Sequence, residues 1–152
     1  MGNISHLLVP TFPTIHLPNS MLRVYPERAD YTTDQLNGLP LIVTSHRGSS
    51  AFNLSPYQGD SLRPVIAYSY DDEKLKPYYY EVFLDDAEIN VKYAPSHQSA
   101  LYQIEYGQPN KPAYMMINSQ NGAIKAGDGF VSGYQPVSYT HLRAHETTLH
   151  LV

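Results

Sequence analysis

The chain of 152 residues has the length of one ordinary domain, and its net charge of −4, with ten scattered basic residues, leaves no electrostatic footprint for nucleic acid or an anionic membrane surface. The absence of cysteine excludes a disulfide framework, a thiol nucleophile and a cysteine-ligated metal site. Fourteen tyrosines and twelve prolines, with no tryptophan, favour short strands and stiff loops over helices.

The chain opens on an apolar stretch, "VPTFPTIHLPNSMLRVYP" (9–26), punctuated by prolines at 10, 13, 18 and 26. Proline cannot donate to a β-ladder, so the first part is expected as an extended loop or edge segment capping a sheet, with Met21 to Tyr25 entering that sheet. No apolar run reaches about 18 residues, so no membrane span is expected. Met1 to Leu8 also lacks the charged-then-apolar layout of a signal peptide, and the sequence as given reads as soluble and untargeted.

Period-two alternation recurs downstream. "LPLIVT" (39–44) reads as a strand apolar on both faces. In "PVIAYSYDD", Val65, Ala67 and Ser69 alternate with Ile66, Tyr68 and Tyr70, and Asp71 and Asp72 end the strand as turn residues. In "KPYYYEVFLDDAEINVKYAP", Tyr78, Tyr80, Val82 and Leu84 share one side; after the "DDAE" turn, Ile89, Val91 and Tyr93 alternate with Asn90 and Lys92. That is a hairpin with one wet face. "SALYQIEYG" repeats the pattern through Tyr102, Ile104 and Tyr106, and "AYMMINSQNGAIKAG" offers two strands around the Asn121-Gly122 turn signal. Roughly six to nine such strands predict an all-β antiparallel sandwich of the supersandwich kind.

Chemistry-bearing residues are sparse. The acidic groups Asp71-Asp72-Glu73 and Asp85-Asp86 with Glu88 could supply the paired carboxylates of glycoside hydrolysis, but their place in predicted turns reads as turn forming and solubilising. No catalytic residue is assigned. Histidines 6, 16, 46 and 97 have no ligand spacing, and no metal site is assigned either. "TSHRG" (44–48) follows an apolar strand, a place where loops carry function, and an arginine fork there could grip sugar hydroxyls or a carboxylate. Tyrosine rings can cover the apolar face of a pyranose, although most of them fit as ordinary strand residues. Asn3-Ile4-Ser5 and Asn53-Leu54-Ser55 match the N-glycosylation pattern only weakly.

Composition shifts after Pro136. "HETTLH" (145–150) imitates a metalloprotease signature, but its histidines are five apart and fall on different helix faces; His141 and His145 have the i, i+4 spacing. "VSYTHLRAHET" (137–147) resembles a translated sequencing-library adapter, so residues 137–152 are expected to be an adapter-derived tail and residues 1–136 the native, incomplete domain.

The body of the chain resembles the N-terminal domain of glycoside hydrolase family 92, the calcium-dependent exo-acting α-mannosidases. "TFPTIHLPNSMLRVYP" is similar to that family's early segment through Thr11, Phe12, Pro13, Pro18, Met21 and Pro26. "KPYYYEVFLDDAEINVKYAPSHQSALYQIEY" is similar to its Pro-Gly-Tyr-Tyr strand, acidic hairpin and next aromatic strand. Thr14 and Ile15 replace the family's Gly and Ala, "VTSHRG" shortens its histidine segment, and the family's substrate-contacting tryptophans have no counterpart. The resemblance implies a β-sandwich packed in cis on an (α/α)6 catalytic domain that supplies acid, base and calcium ligands for inverting hydrolysis of a mannoside-like glycan. This chain would then form one wall of the sugar cleft through Thr11, Phe12, Pro13, His46 and Arg47, and would hydrolyse nothing alone. It also implies a secreted, periplasmic or cell-surface bacterial enzyme. The alternative is a free-standing carbohydrate-binding or adhesion β-sandwich.

Overall fold

Alternation of apolar and polar residues at period two lets a strand bury one face and wet the other, and this chain uses it repeatedly. The computed structural model describes residues 15–19, 35–36, 39–43, 50–60, 67–119, 123–135 and 145–150. Within these lie eleven strands and a single 3₁₀ turn at Asp85–Ala87. Every strand pairing is antiparallel.

The strands are β1 (Gln35–Leu36), β2 (Leu39–Val43), β3 (Ser50–Gln58), β4 (Tyr68–Lys76), β5 (Tyr79–Leu84) and β6 (Ile89–Pro95). They continue with β7 (Ala100–Tyr106), β8 (Ala113–Ser119), β9 (Ala123–Ala126), β10 (Phe130–Gln135) and β11 (His145–His150). They form a five-stranded sheet, β1-β4-β5-β6-β7, and two three-stranded sheets, β2-β3-β8 and β11-β10-β9.

The five-stranded sheet and β2-β3-β8 are the two layers of the predicted sandwich. Tyr80, Val82 and Leu84 on β5 and Ile89, Val91 and Tyr93 on β6 are buried, and Leu54 of β3 joins them from the opposite layer. Met115 and Ile117 of β8 pack on the same core. Burying each aliphatic side chain contributes about 1.5–3 kcal/mol, so the β5–β6 hairpin and its cover dominate the stability of the fold. Two tyrosine hydroxyls tie the layers together: Tyr68 on β4 donates to the carbonyl of Pro56 on β3 at 2.8 Å, and Tyr106 on β7 donates to that of Tyr114 on β8 at 3.0 Å.

Several local expectations change. β3 was not legible because it contains Pro56, which argues against a central strand. Among the described residues β2 pairs with β3 only over Ser50–Leu54, while Pro56 pairs with Met115 of β8. The Asn53-Leu54-Ser55 pattern therefore lies in a strand, with Leu54 and Ser55 buried, and not on an exposed loop. Asp71 and Asp72 do not end a strand: β4 runs through them with a register shift, and Asp72 takes a left-handed backbone (φ 52°) that aspartate tolerates. The turn comes later, at Pro77-Tyr78, and leaves Tyr78 exposed instead of inward. β8 and β9 form where two strands were expected around Asn121-Gly122, but they belong to different sheets, and β9 turns back on β10 through Gly129 (φ 74°). Residues 145–150 form a strand on β10, not a helix. Met21 to Tyr25 lie outside the described residues.

Candidate functional site

Thr11, Phe12, Pro13, His46 and Arg47, the expected sugar-facing residues, lie outside the described residues. What is described is the anchor of the proline-rich segment. Ile15 is wholly buried in the sandwich core, and the His16 backbone N–H donates to the Pro77 carbonyl at 3.0 Å. An apolar plug and one backbone bond thus dock the segment on the β4–β5 turn. Beyond them the chain turns at Pro18-Asn19, where Asn19 (φ 58°) adopts the left-handed conformation asparagine accepts.

Tyr78 is 59% exposed, and the Lys76 ammonium lies 5.9 Å from the centre of its ring, within the range of a cation–π contact. In sequence Tyr78 continues the Tyr80-Val82-Leu84 alternation and is expected on their side of the strand. The preceding proline was the signal that the alternation starts one residue later.

The outer face of the large sheet is an ordered polar array. Glu81 accepts hydrogen bonds from Lys74 at 3.1 Å, from the Tyr79 hydroxyl at 3.0 Å and from the Asn90 amide. Glu105 accepts from Lys92 at 2.9 Å, from Gln103 at 2.8 Å and from Asn90. The Lys74 bond is the main reason the Glu81 carboxyl is held below its ordinary range, and the Lys92 bond does the same for Glu105. Both are ionised, paired carboxylates, unsuited to act as proton donors at neutral pH.

The two acidic groups that the sequence places in separate turns meet in space. The β4 bulge brings Asp71 and Asp72 beside Asp85 and Asp86, and the Ser69 backbone N–H donates to Asp86 Oδ2 at 3.2 Å. Desolvation first, then the negative charges of Asp71, Asp86 and Asp72, push the Asp85 carboxyl up. Among the described residues, no group of three or more His, Cys, Asp or Glu side chains is placed to hold a metal ion.

The profile of the glycosyl hydrolase family 92 N-terminal domain matches residues 1–148. The chain belongs to this family. The match covers both the proline-rich opening and the tyrosine hairpin that carry the resemblance in sequence. Among solved structures, the fold is similar to that of a family GH92 α-mannosidase from Bacteroides thetaiotaomicron, with 18% identity, a TM-score of 0.67, and coverage of 82% of this chain and 21% of that one. The same α-mannosidase in complex with mannoimidazole gives 19% identity, a TM-score of 0.68, and coverage of 82% and 20%. The chain thus spans about a fifth of the length of these family relatives. Comparison with curated proteins gives no match.

Proposed function

We propose that this family 92 domain is the accessory N-terminal unit of an α-mannosidase-like glycoside hydrolase and forms one wall of its sugar cleft. The observation that carries this reading is the family match over residues 1–148, together with a fold shared with an α-mannosidase of which the match covers 21%. The anchoring of the proline-rich segment is consistent with a wall. Ile15 and the His16 N–H fix its base, and proline already restricts φ, so presenting Thr11, Phe12 and Pro13 costs little further entropy. In this reading Phe12 packs on the apolar face of the sugar ring, while His46 and Arg47 bond its hydroxyls.

Catalysis belongs to an (α/α)6 domain in cis, which would supply the acid, the base and the calcium ligands for inversion. The described residues do not fit a calcium site, since no sufficient donor group is placed among them. In this reading the enzyme is secreted, periplasmic or cell-surface, residues 1–136 are part of an incomplete native domain, and residues 137–152 are an adapter-derived tail.

The test is to recover the uninterrupted gene and express its whole product beside the present chain. The whole product is expected to hydrolyse α-mannosides, with Phe12→Ala and Arg47→Ala raising KM more than they lower kcat, and the present chain to be inactive. A stop codon directly after the sandwich would replace this reading with a free-standing carbohydrate-binding or adhesion module.

A further inference from the structure

The β4–β5 turn is pinned from two sides. Lys76 pairs with Tyr79 across it, which leaves Pro77 and Tyr78 to make the turn, and proline fixes its own φ. From outside, the His16 N–H donates to the Pro77 carbonyl at 3.0 Å, while Ile15 is plugged into the core. Chain connectivity keeps Pro13, three residues before His16, within about 11 Å of it. The turn and the proposed cleft residues of the proline-rich segment are therefore neighbours. A single exposed ring on a protein surface is ordinary. Tyr78 differs in its setting: among the described tyrosine side chains it alone is mostly in solvent, the turn that carries it is held, and the Lys76 ammonium lies 5.9 Å from the ring centre.

We propose that Tyr78 and Lys76 form a further sugar subsite at the foot of the proline-rich wall, which holds the sugar unit next to the one that Phe12 takes. This subsite rests on the cleft wall proposed above and adds to it a preference for glycans of two or more sugars. A pyranose offers an apolar C–H face, which an aromatic ring covers, and a rim of hydroxyls. Tyr78 supplies the ring. Lys76 supplies three N–H donors and no acceptor, so it bonds a hydroxyl oxygen of the same sugar. Because the chain contains no tryptophan, a stacking platform falls to tyrosine or phenylalanine. Phe130, the other exposed ring among the described residues, lies against Gly127 within its own hairpin. Held by its turn, the Tyr78 ring is already in place, so a bound sugar does not have to order it.

Initial rates of the uninterrupted gene's whole product on α-mannosyl fluoride, which carries one sugar and no second ring, and on an α-linked mannobiose separate the two subsites. Tyr78→Ala should raise KM for mannobiose about three- to tenfold more than for the fluoride, the worth of one ring contact, and Tyr78→Phe, which keeps the ring, should recover most of that loss. Lys76→Met should act in the same direction on mannobiose, by about threefold or more. Phe12→Ala should raise KM for both substrates. Tyr78 is exposed in a turn, and equal thermal midpoints of wild type and variants check that the fold is kept. Equal effects of Tyr78→Ala on the two substrates overturn the subsite, since they mark a general disturbance of the wall. No effect of Tyr78→Ala, with Phe12→Ala still acting on both substrates, overturns the subsite and leaves the wall standing. No effect of either variant, or no hydrolysis of either substrate, overturns both.

Discussion

At the scale of single residues, the tyrosines divide by what their hydroxyls meet. The Tyr68 hydroxyl is buried and donates to the Pro56 carbonyl, and burial raises its pKa. Tyr68→Phe is expected to cost about 1–3 kcal/mol in urea unfolding, because it strands a buried carbonyl in the opposite layer. Among the described residues the buried Tyr93 hydroxyl has no hydrogen-bond partner, and its ring lies 4.8 Å from that of Tyr102. Tyr93→Phe should therefore be neutral or stabilising in the same assay. The carboxylates divide similarly. Glu81 and Glu105 are held low, so their contribution to stability is present above the unfolded carboxylate pKa and lost as pH falls through the folded value. Asp85 is pushed up, so its contribution is present below the unfolded value and lost as pH rises through the folded one. Asp72→Asn keeps the left-handed backbone and removes one of the repelling charges. Part of its gain in melting temperature over the native chain should therefore grow as pH rises through the carboxylate range and fade below it.

At the scale of elements, legibility followed burial of one face. β5, β6 and β7 show their alternation openly because one side meets the core and the other meets water, so Tyr80, Val82, Leu84, Ile89, Val91 and Tyr93 were readable as a buried set. β3 and β4 were harder, because a proline or an acidic pair that usually marks a turn lies within the strand there, the acidic pair at a bulge. The close approach of the 107 loop to the hairpin turn was equally hidden. Gly107 donates to the Glu88 carbonyl at 2.9 Å, and a Cβ would lie 2.5 Å from that oxygen, so Gly107→Ala should lower the urea midpoint by forcing the loop away. Ile15 is the element-scale surprise, because it turns a proline-stiffened segment into part of the core. Ile15→Ala should cost about 2–5 kcal/mol and speed proteolytic cleavage around residues 15–19, whereas a segment that merely lay on the surface would show neither.

At the scale of the whole molecule, stability is unevenly distributed. None of the described core residues comes from β9, whose side chains are exposed along its length. Hydrogen exchange should show the β9 amides opening well before those of β5 and β6, as expected of a strand held mainly by its ladder and not by side-chain burial. The proposed cleft residues have no periodic pattern of their own: Thr11, Phe12 and Pro13 stand out by resemblance to a family motif, and His46 and Arg47 by their place after an apolar strand. What the sequence alone determined is the class of fold, because alternation and side-chain type dictate locally which stretches can half-bury as strands. The family was legible too, through the order of its motifs. Which strand lies beside which, that Asp71 and Asp72 meet Asp85 and Asp86, and that Tyr78 faces outward were decided only by the tertiary structure. Those facts depend on pairing between residues far apart in the chain, and period-two alternation says which face a residue takes but not which neighbour it meets.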